Sequence, residues 1–150
     1  MKRQYKRKKG KTISQAKKHL YKGVQYKSGL EMKMAKVLTE LKIPFEYEPK
    51  KFVLVDGFKF DSTSYERQAN GKGEFKDRGS KRILPITYTP DFIGKGWIIE
   101  CKGYANESFP MKYKMFKKII QNLDEEITLF KPQCHKECEL TGELILKINN

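Results

Sequence analysis

The chain has 150 residues, 38% of them hydrophobic, which suits one folded domain with a real core and excludes a fully disordered polymer. No run approaches the roughly 18 apolar residues of a membrane span, and the first residues lack the apolar segment of a signal peptide, so a soluble intracellular protein without membrane partners is expected. The formal net charge is +14, yet eleven of the 32 Lys and Arg fall in residues 1–27 with no acid among them, leaving 21 bases against 18 acids, a net +3, in the remainder.

Residues 1–27 therefore read as a basic N-terminal arm. Lys2, Arg3, Lys6, Arg7, Lys8 and Lys9 are its candidate contacts to a polyanion, which they would grip through phosphates. A short helix is expected near Ile13 to Tyr21, ended by Gly23. Ser28-Gly29-Leu30-Glu31 is a capping box, with Ser at the N-cap and Glu three residues on. Behind it Leu30, Met34, Val37, Leu38 and Leu41 form one apolar stripe of an amphipathic helix that stops before Pro44.

From Phe45 the residues turn aromatic and β-branched. Phe45 to Glu48 and Lys51 to Val55 are expected to be extended, with a turn at Asp56-Gly57. Residues 61–82 are polar and lack an apolar period, which predicts a long loop or hairpin inserted before the next strand. Ile83 to Thr89 resumes the sheet, Gly94-Lys95-Gly96 supplies a turn, and residues 97–102 make a strand. Its period of two sends Ile98, Glu100 and Lys102 to one face and Ile99 and Cys101 to the other.

Met111, Met115, Phe116, Ile119, Ile120 and Leu123 give a helical stripe within residues 109–123, opposed by Lys112, Lys114, Lys117 and Lys118 as a second candidate phosphate-binding face. Residues 126–130 suit another strand, and Leu144 to Ile148 suits pairing at a sheet edge. This order predicts an α/β fold with a mixed central sheet flanked by helices. The divisions are the arm at 1–27, a core at 28–130 carrying the 61–82 insertion, and a C-terminal extension at 131–150.

The odd count of three cysteines, Cys101, Cys134 and Cys138, speaks against a disulfide framework. Cys134 to Cys138 resembles half a zinc site, but no second ligand pair is spaced to complete it, and a reduced loop is expected.

Chemistry concentrates at Asp91, which follows Pro90, and at Glu100-Cys101-Lys102. Two carboxylates can hold Mg²⁺, and the backbone carbonyl of Cys101 lies between the site residues as a further oxygen ligand. Lys102 can orient or deprotonate water, or stabilise negative charge. Taken singly, Asp91 reads as a turn residue, and Glu100 with Lys102 as an exposed charge pattern; the site reading rests on the residues taken together. The capping box accounts for Glu31, although at N3 a carboxylate can also reach a sheet packed beneath the helix.

Four motifs in order, Ser28-Gly29-Leu30-Glu31, Phe45-Glu46-Tyr47-Glu48, Tyr88-Thr89-Pro90-Asp91-Phe92 and Ile99-Glu100-Cys101-Lys102-Gly103, resemble the PD-(D/E)xK nuclease superfamily. Within it the chain is similar to phage endonuclease I type Holliday-junction resolvases and related small phage nucleases. The resemblance spans roughly residues 26–130. It implies a restriction-endonuclease-like core, Mg²⁺ or Mn²⁺ as cofactor, a homodimer, branched DNA as substrate and catalytic or metal-binding roles for Glu31, Asp91, Glu100 and Lys102. If phage-encoded, the protein would act in the host cytoplasm. The 61–82 insertion and the last 20 residues have no counterpart in the short endonuclease I pattern. A family of transposase endonucleases shares the early Glu and the Tyr-x-Pro-Asp-Phe arrangement, so cleavage of linear duplex DNA stays open, as does a non-catalytic nucleic-acid-binding protein.

Overall fold

A computed structural model describes residues 19–149, so Lys2 to Lys9 of the basic arm lie outside the described residues. The chain opens with a hairpin, β1 (His19–Tyr21) and β2 (Val24–Tyr26), and then forms α1 (Gly29–Glu40) and β3 (Glu46–Tyr47). β4 (Phe52–Val55), β5 (Phe58–Phe60) and β6 (Tyr65–Glu66) run outward, and β7 (Lys76–Asp77), β8 (Lys81–Ile83) and β9 (Ile86–Tyr88) return. β10 (Phe92–Gly94), β11 (Trp97–Ile99), α2 (Phe109–Gln121), β12 (Thr128–Phe130) and α3 (His135–Ile148) complete the chain.

The central sheet has the order β12-β11-β10-β3, antiparallel except for the parallel pair β11 and β12, which α2 connects as a crossover. The expected mixed sheet with helices is therefore present. Trp97, Ile99 and Cys101 enter a core with Met34, Ala35 and Leu38 of α1 and Cys138 and Ile145 of α3. Ile98 enters a second core with Phe109, Tyr113, Phe116 and Ile120 of α2 and Phe52 and Tyr88 from the outgoing and returning strands. The alternation expected for residues 97–102 thus separates two cores on opposite faces of the sheet.

α1 follows its sequence signals closely. Ser28 Oγ accepts the Glu31 N–H at the N-cap. At the other end the Ile43 and Lys42 N–H groups return to the carbonyls of Leu38 and Thr39, and Lys42 takes a positive φ of 56°. That is a Schellman closure with lysine where glycine is usual, set two residues ahead of Pro44.

Several expectations need correction. His19–Tyr21, the described end of the expected N-terminal helix, is a strand: Lys22 and Gly23 both have positive φ, 48° and 79°, which makes the two-residue turn of a hairpin instead of a helix stop. Tyr26 is buried in the core beside α1, so the folded unit begins within the segment assigned to the arm.

Leu144–Ile148 is no edge strand. Cys138, Thr141, Gly142 and Ile145 recur at helical spacing and dock α3 onto α1, where a Cβ at Gly142 would come within 2.7 Å of Val37 and 2.6 Å of Leu41. The C-terminal segment is part of the core, and Cys134 to Cys138 is the start of its helix, not a loop.

The apolar face of α2 is rotated from the expected stripe: Phe109, Tyr113, Phe116 and Ile120 are buried, while Met111 and Leu123 are exposed. Aromatic rings fill the space beneath this helix better than the flexible methionines that the hydropathy pattern favoured.

The 61–82 insertion takes the hairpin form of the two expected, as the distal part of a longer β-finger. Its ladders nest, with Phe52 opposite Tyr88, Phe58 opposite Ile83, and Glu66 opposite Lys76. The finger starts four residues after Glu48 and ends three before Asp91. Leu84-Pro85 divides the returning strand, since proline cannot donate to the ladder. Among the described residues no helix is long and apolar enough to cross a membrane.

At the β10–β11 turn Gly96 takes a positive φ of 77°, and Trp97 lies over Gly94 so closely that an added Cβ would fall 2.1 Å from the indole ring. Trp97 is 1% exposed and packed on every side. Gly94→Ala is expected to lower the unfolding free energy by about 1–3 kcal/mol, the usual cost of overpacking. Urea denaturation checks this, and an unchanged midpoint would mean that the indole can shift.

Candidate active site

Extending the β10–β11 register past Phe92 and Ile99 sets Asp91 opposite Glu100 and Pro90 opposite Cys101. Directly opposed residues of an antiparallel pair share a face, so the register alone brings the two carboxylates together. Proline has no N–H, and Pro90 therefore cannot donate to the Cys101 carbonyl, which receives no hydrogen bond among the described residues. The Cys101 N–H turns instead to Asp91 Oδ2 at 2.6 Å. The Asp91 carbonyl accepts the Glu48 N–H at 2.8 Å, tying the end of β3 to the same place.

On the other side, the N–H groups of Glu100 and Lys102 donate to Phe130 and Pro132 at 3.0 and 3.1 Å, so the parallel ladder continues past β11 and holds the Glu-x-Lys segment extended. Tyr88 Oη donates to Glu100 Oε2 at 2.6 Å. Lys102 is half-buried, its Nζ 4.8 Å from the centre of the Phe109 ring. No hydrogen bond reaches Asp91 Oδ1 or Glu100 Oε1 among the described residues. No buried side-chain oxygen there is left without a partner, so both keep contact with solvent.

Glu31 combines two jobs that its position seemed to set in competition. Its carboxylate receives the Lys27 N–H at 3.1 Å, the Ser28 hydroxyl at 2.8 Å and the Tyr47 hydroxyl at 2.6 Å. It closes the helix start from one residue further back than a standard capping box. It makes no hydrogen bond to Asp91 or Glu100, but its charge raises the proton affinity of both.

Sequence reasoning assigned no site role to Glu48, Lys27, Tyr47 or Tyr88. Glu48 has a positive φ of 46°, an uncommon backbone for a residue with a Cβ, and pairs with Lys27 Nζ. The Glu48 charge also bears on Asp91 and Glu100. All four residues stand inside or beside the quoted motifs. Proximity to those motifs was the available signal, but which neighbours turn inward depends on the packing of β3 against β10.

Burial, followed by the charges of Glu100 and Glu31, pushes the Asp91 carboxyl up to about 8, against the counteracting Cys101 N–H. Burial also raises Glu100, while the Tyr88 hydroxyl and Lys102 pull it down. Burial and the adjacent carboxylates hold the Tyr88 and Tyr47 phenols above their ordinary range, so both remain proton donors. The group is short of positive charge.

Among the described residues no three His, Cys, Asp or Glu side chains converge closely enough to cage a metal on their own. The donors that fit a hard divalent cation are the Asp91 and Glu100 carboxylates and the open Cys101 carbonyl, all oxygen, and a cation would relieve the charge that raises Asp91. Glu31 is occupied by its three hydrogen bonds. Cys134 is exposed, whereas Cys138 is buried against α1, so the two do not form a half-site.

The candidate phosphate contacts separate. Lys114, Lys117 and Lys118 are exposed, whereas Lys112 is half-buried and reaches the Thr87 carbonyl at 3.4 Å. The four lysines of α2 are therefore not one face.

An acid whose pKa is higher folded than unfolded binds more protons folded, so it lowers stability as pH rises from its ordinary 3.8 toward about 8. Without divalent metal, Asp91→Asn is expected to gain stability over the native chain across that window, by on the order of a few kcal/mol at its upper end. Added Mg²⁺ should narrow the gap at pH 8 by stabilising only the native chain. Thermal unfolding at pH 5 and pH 8 reads both effects, and parallel pH profiles would show that Asp91 is not strained by its neighbours. Compared with known proteins, the chain matches no family model, no curated protein and no solved structure.

Proposed function

We propose that the chain is a metal-dependent endodeoxyribonuclease of the PD-(D/E)xK superfamily, with a restriction-endonuclease-like core, that cuts phosphodiester bonds in branched DNA such as Holliday junctions. The observation that carries this reading is the buried, opposed pair Asp91 and Glu100 with Lys102 on the same extended segment. Opposed like charges destabilise a sheet, and such a pair is retained where a cation is to be bound.

Asp91, Glu100 and the Cys101 carbonyl would hold Mg²⁺ or Mn²⁺, which when bound makes water a better nucleophile and neutralises charge on the scissile phosphate. Tyr88 fixes one Glu100 oxygen and leaves the other turned to solvent. The Cys101 N–H does the same for Asp91. Lys102 stands where it can orient the attacking water or stabilise the negative charge of the phosphate. Glu31, clasped by Tyr47, adds negative field to the site. Cleavage would leave 5′-phosphate and 3′-hydroxyl ends.

Branched substrate is favoured by the β-finger, since both of its strands are rooted at the site, between Glu48 and Asp91. Its exposed end carries Tyr65 and Phe75 with Arg67 and Lys72, groups suited to a second DNA arm beside the one being cut. A homodimer would place two such sites for paired cuts across a symmetric junction. The basic arm would add affinity through phosphates.

The test is cleavage with Mg²⁺ of a four-way junction, a matched linear duplex and a single strand. The junction is expected to be cut fastest, with Glu100→Gln and Lys102→Ala each slowing cleavage by roughly 100-fold or more, the usual scale for a positioned acid, base or electrostatic group. Undiminished cleavage by both variants would remove the site assignment. Equal cutting of duplex would replace the junction by linear DNA, and binding with no cleavage under either metal would leave a nucleic-acid-binding module.

A further inference from the structure

Beside Lys102, on the α2 side of the sheet, lies a cavity of about 360 Å³ whose lining contains four lysines and no acid. The lysines come from three separate parts of the chain. Lys102 ends the Glu-x-Lys segment, Lys114 and Lys117 stand on α2, and Lys131 follows β12. None of the four is ion-paired among the described residues.

The ammonium groups of Lys102, Lys117 and Lys131 stand over two stacked rings. Phe109 and Tyr113 lie with centroids 5.3 Å apart and planes 21° from parallel, each less than a tenth exposed. Lys102 stands 4.8 Å from the Phe109 centroid, Lys117 stands 5.1 Å from that of Tyr113, and Lys131 is 5.9 and 5.4 Å from the two. Ring faces attract cations, so this aromatic floor gathers charges that would otherwise spread apart. Ordinary solvated lysines lie along a helix face and do not converge from three elements on one hollow. Converging cations with no acid among them call for an anion, and the volume, at the lower end of ligand-site sizes, exceeds what a bare phosphate needs.

We propose that this cavity is a strand-binding subsite that takes a backbone phosphate and its sugar from the DNA strand running to the Asp91–Glu100 pair. Lys102 belongs to both places, so a phosphate held here lies next along the strand from the one at the carboxylates. Tyr104, 93% exposed and part of the cavity lining, offers its ring face to the attached base. The placement rests on the nuclease reading, but affinity for the strand does not require cleavage.

The experiment measures binding of a fluorescein-labelled 12-nucleotide single strand to the full chain by anisotropy, in EDTA, over a range of salt. The double variant Lys117→Ala, Lys131→Ala is expected to bind at least tenfold more weakly. Its slope of log affinity against log salt should shrink by about 1.4, the value for two lost contacts on a single strand. Tyr104→Ala should weaken the normal strand more than an abasic one of equal length. Lys147→Ala, an exposed lysine on α3, removes a charge elsewhere and should change binding less than twofold.

Thermal unfolding checks that each variant is folded, and Lys117→Arg, Lys131→Arg should restore affinity if the first pair fails to fold. Unchanged affinity and salt slope in the folded double variant would overturn the subsite, even if the native chain cleaves DNA with Mg²⁺. Weakened binding in a chain that cleaves nothing would keep the subsite and remove the nuclease.

Discussion

Two buried carboxylates face each other across the end of an antiparallel ladder, and much of the surrounding structure responds to that opposition. Asp91 and Glu100 cannot both be charged, desolvated and unpartnered. The Cys101 N–H takes one oxygen of Asp91, the Tyr88 hydroxyl takes one of Glu100, and Lys102 lowers the proton affinity of Glu100. Each device leaves an oxygen with solvent contact. The remaining electrostatic frustration appears as an Asp91 carboxyl raised to about 8. A sheet optimised only for stability would place an apolar or oppositely charged pair there.

The elements around the pair act on it from three directions. β3 ties it down through the Glu48 N–H, the segment beyond β12 does so through the Phe130 and Pro132 carbonyls, and α1 adds the like charge of Glu31. The two tyrosines have parallel duties, since Tyr47 fixes Glu31 as Tyr88 fixes Glu100. Tyr47 also packs against Tyr26 and Phe92, and Tyr88 against Phe116, so each hydroxyl is aimed by an aromatic core. The two cores that stabilise the sheet therefore also orient the acids, one core for each tyrosine. The β-finger leaves and rejoins this region directly, which makes it an outgrowth of the site more than a separate module.

Legibility from sequence followed the range of the interactions involved. The capping box and stripe of α1 are local, and the helix begins and ends where they indicate. The alternation of residues 97–102 is local too, and it correctly divided Ile98, Glu100 and Lys102 from Ile99 and Cys101. The hairpin at Lys22-Gly23 reads from sequence as a helix stop, because a glycine there fits both a C-cap and a two-residue turn. α3 was missed because its buried stripe consists of Cys138, Thr141, Gly142 and Ile145, a pattern weak in hydropathy and explained only by the close approach of α1. On α2 the methionines outranked the aromatic residues in the pattern, but the space under the helix is filled by rings.

By itself the sequence determined the chemical types available: hard oxygen donors at Asp91 and Glu100, a lysine two residues beyond, a capped helix bearing Glu31, and proline at position 90. Those follow from residue identity, period and spacing, which tertiary contacts do not alter. The tertiary structure decided which groups meet. Only the β10–β11 register opposes the two acids, only β3 against β10 brings Glu48 to the Asp91 carbonyl, and only the docking of Phe109 and Tyr113 on the sheet gathers Lys102, Lys114, Lys117 and Lys131 into one hollow. The Glu48 contact and the gathering of the lysines join residues far apart in the chain, which no local pattern of charge or hydropathy encodes, whereas the two acids meet across a single hairpin.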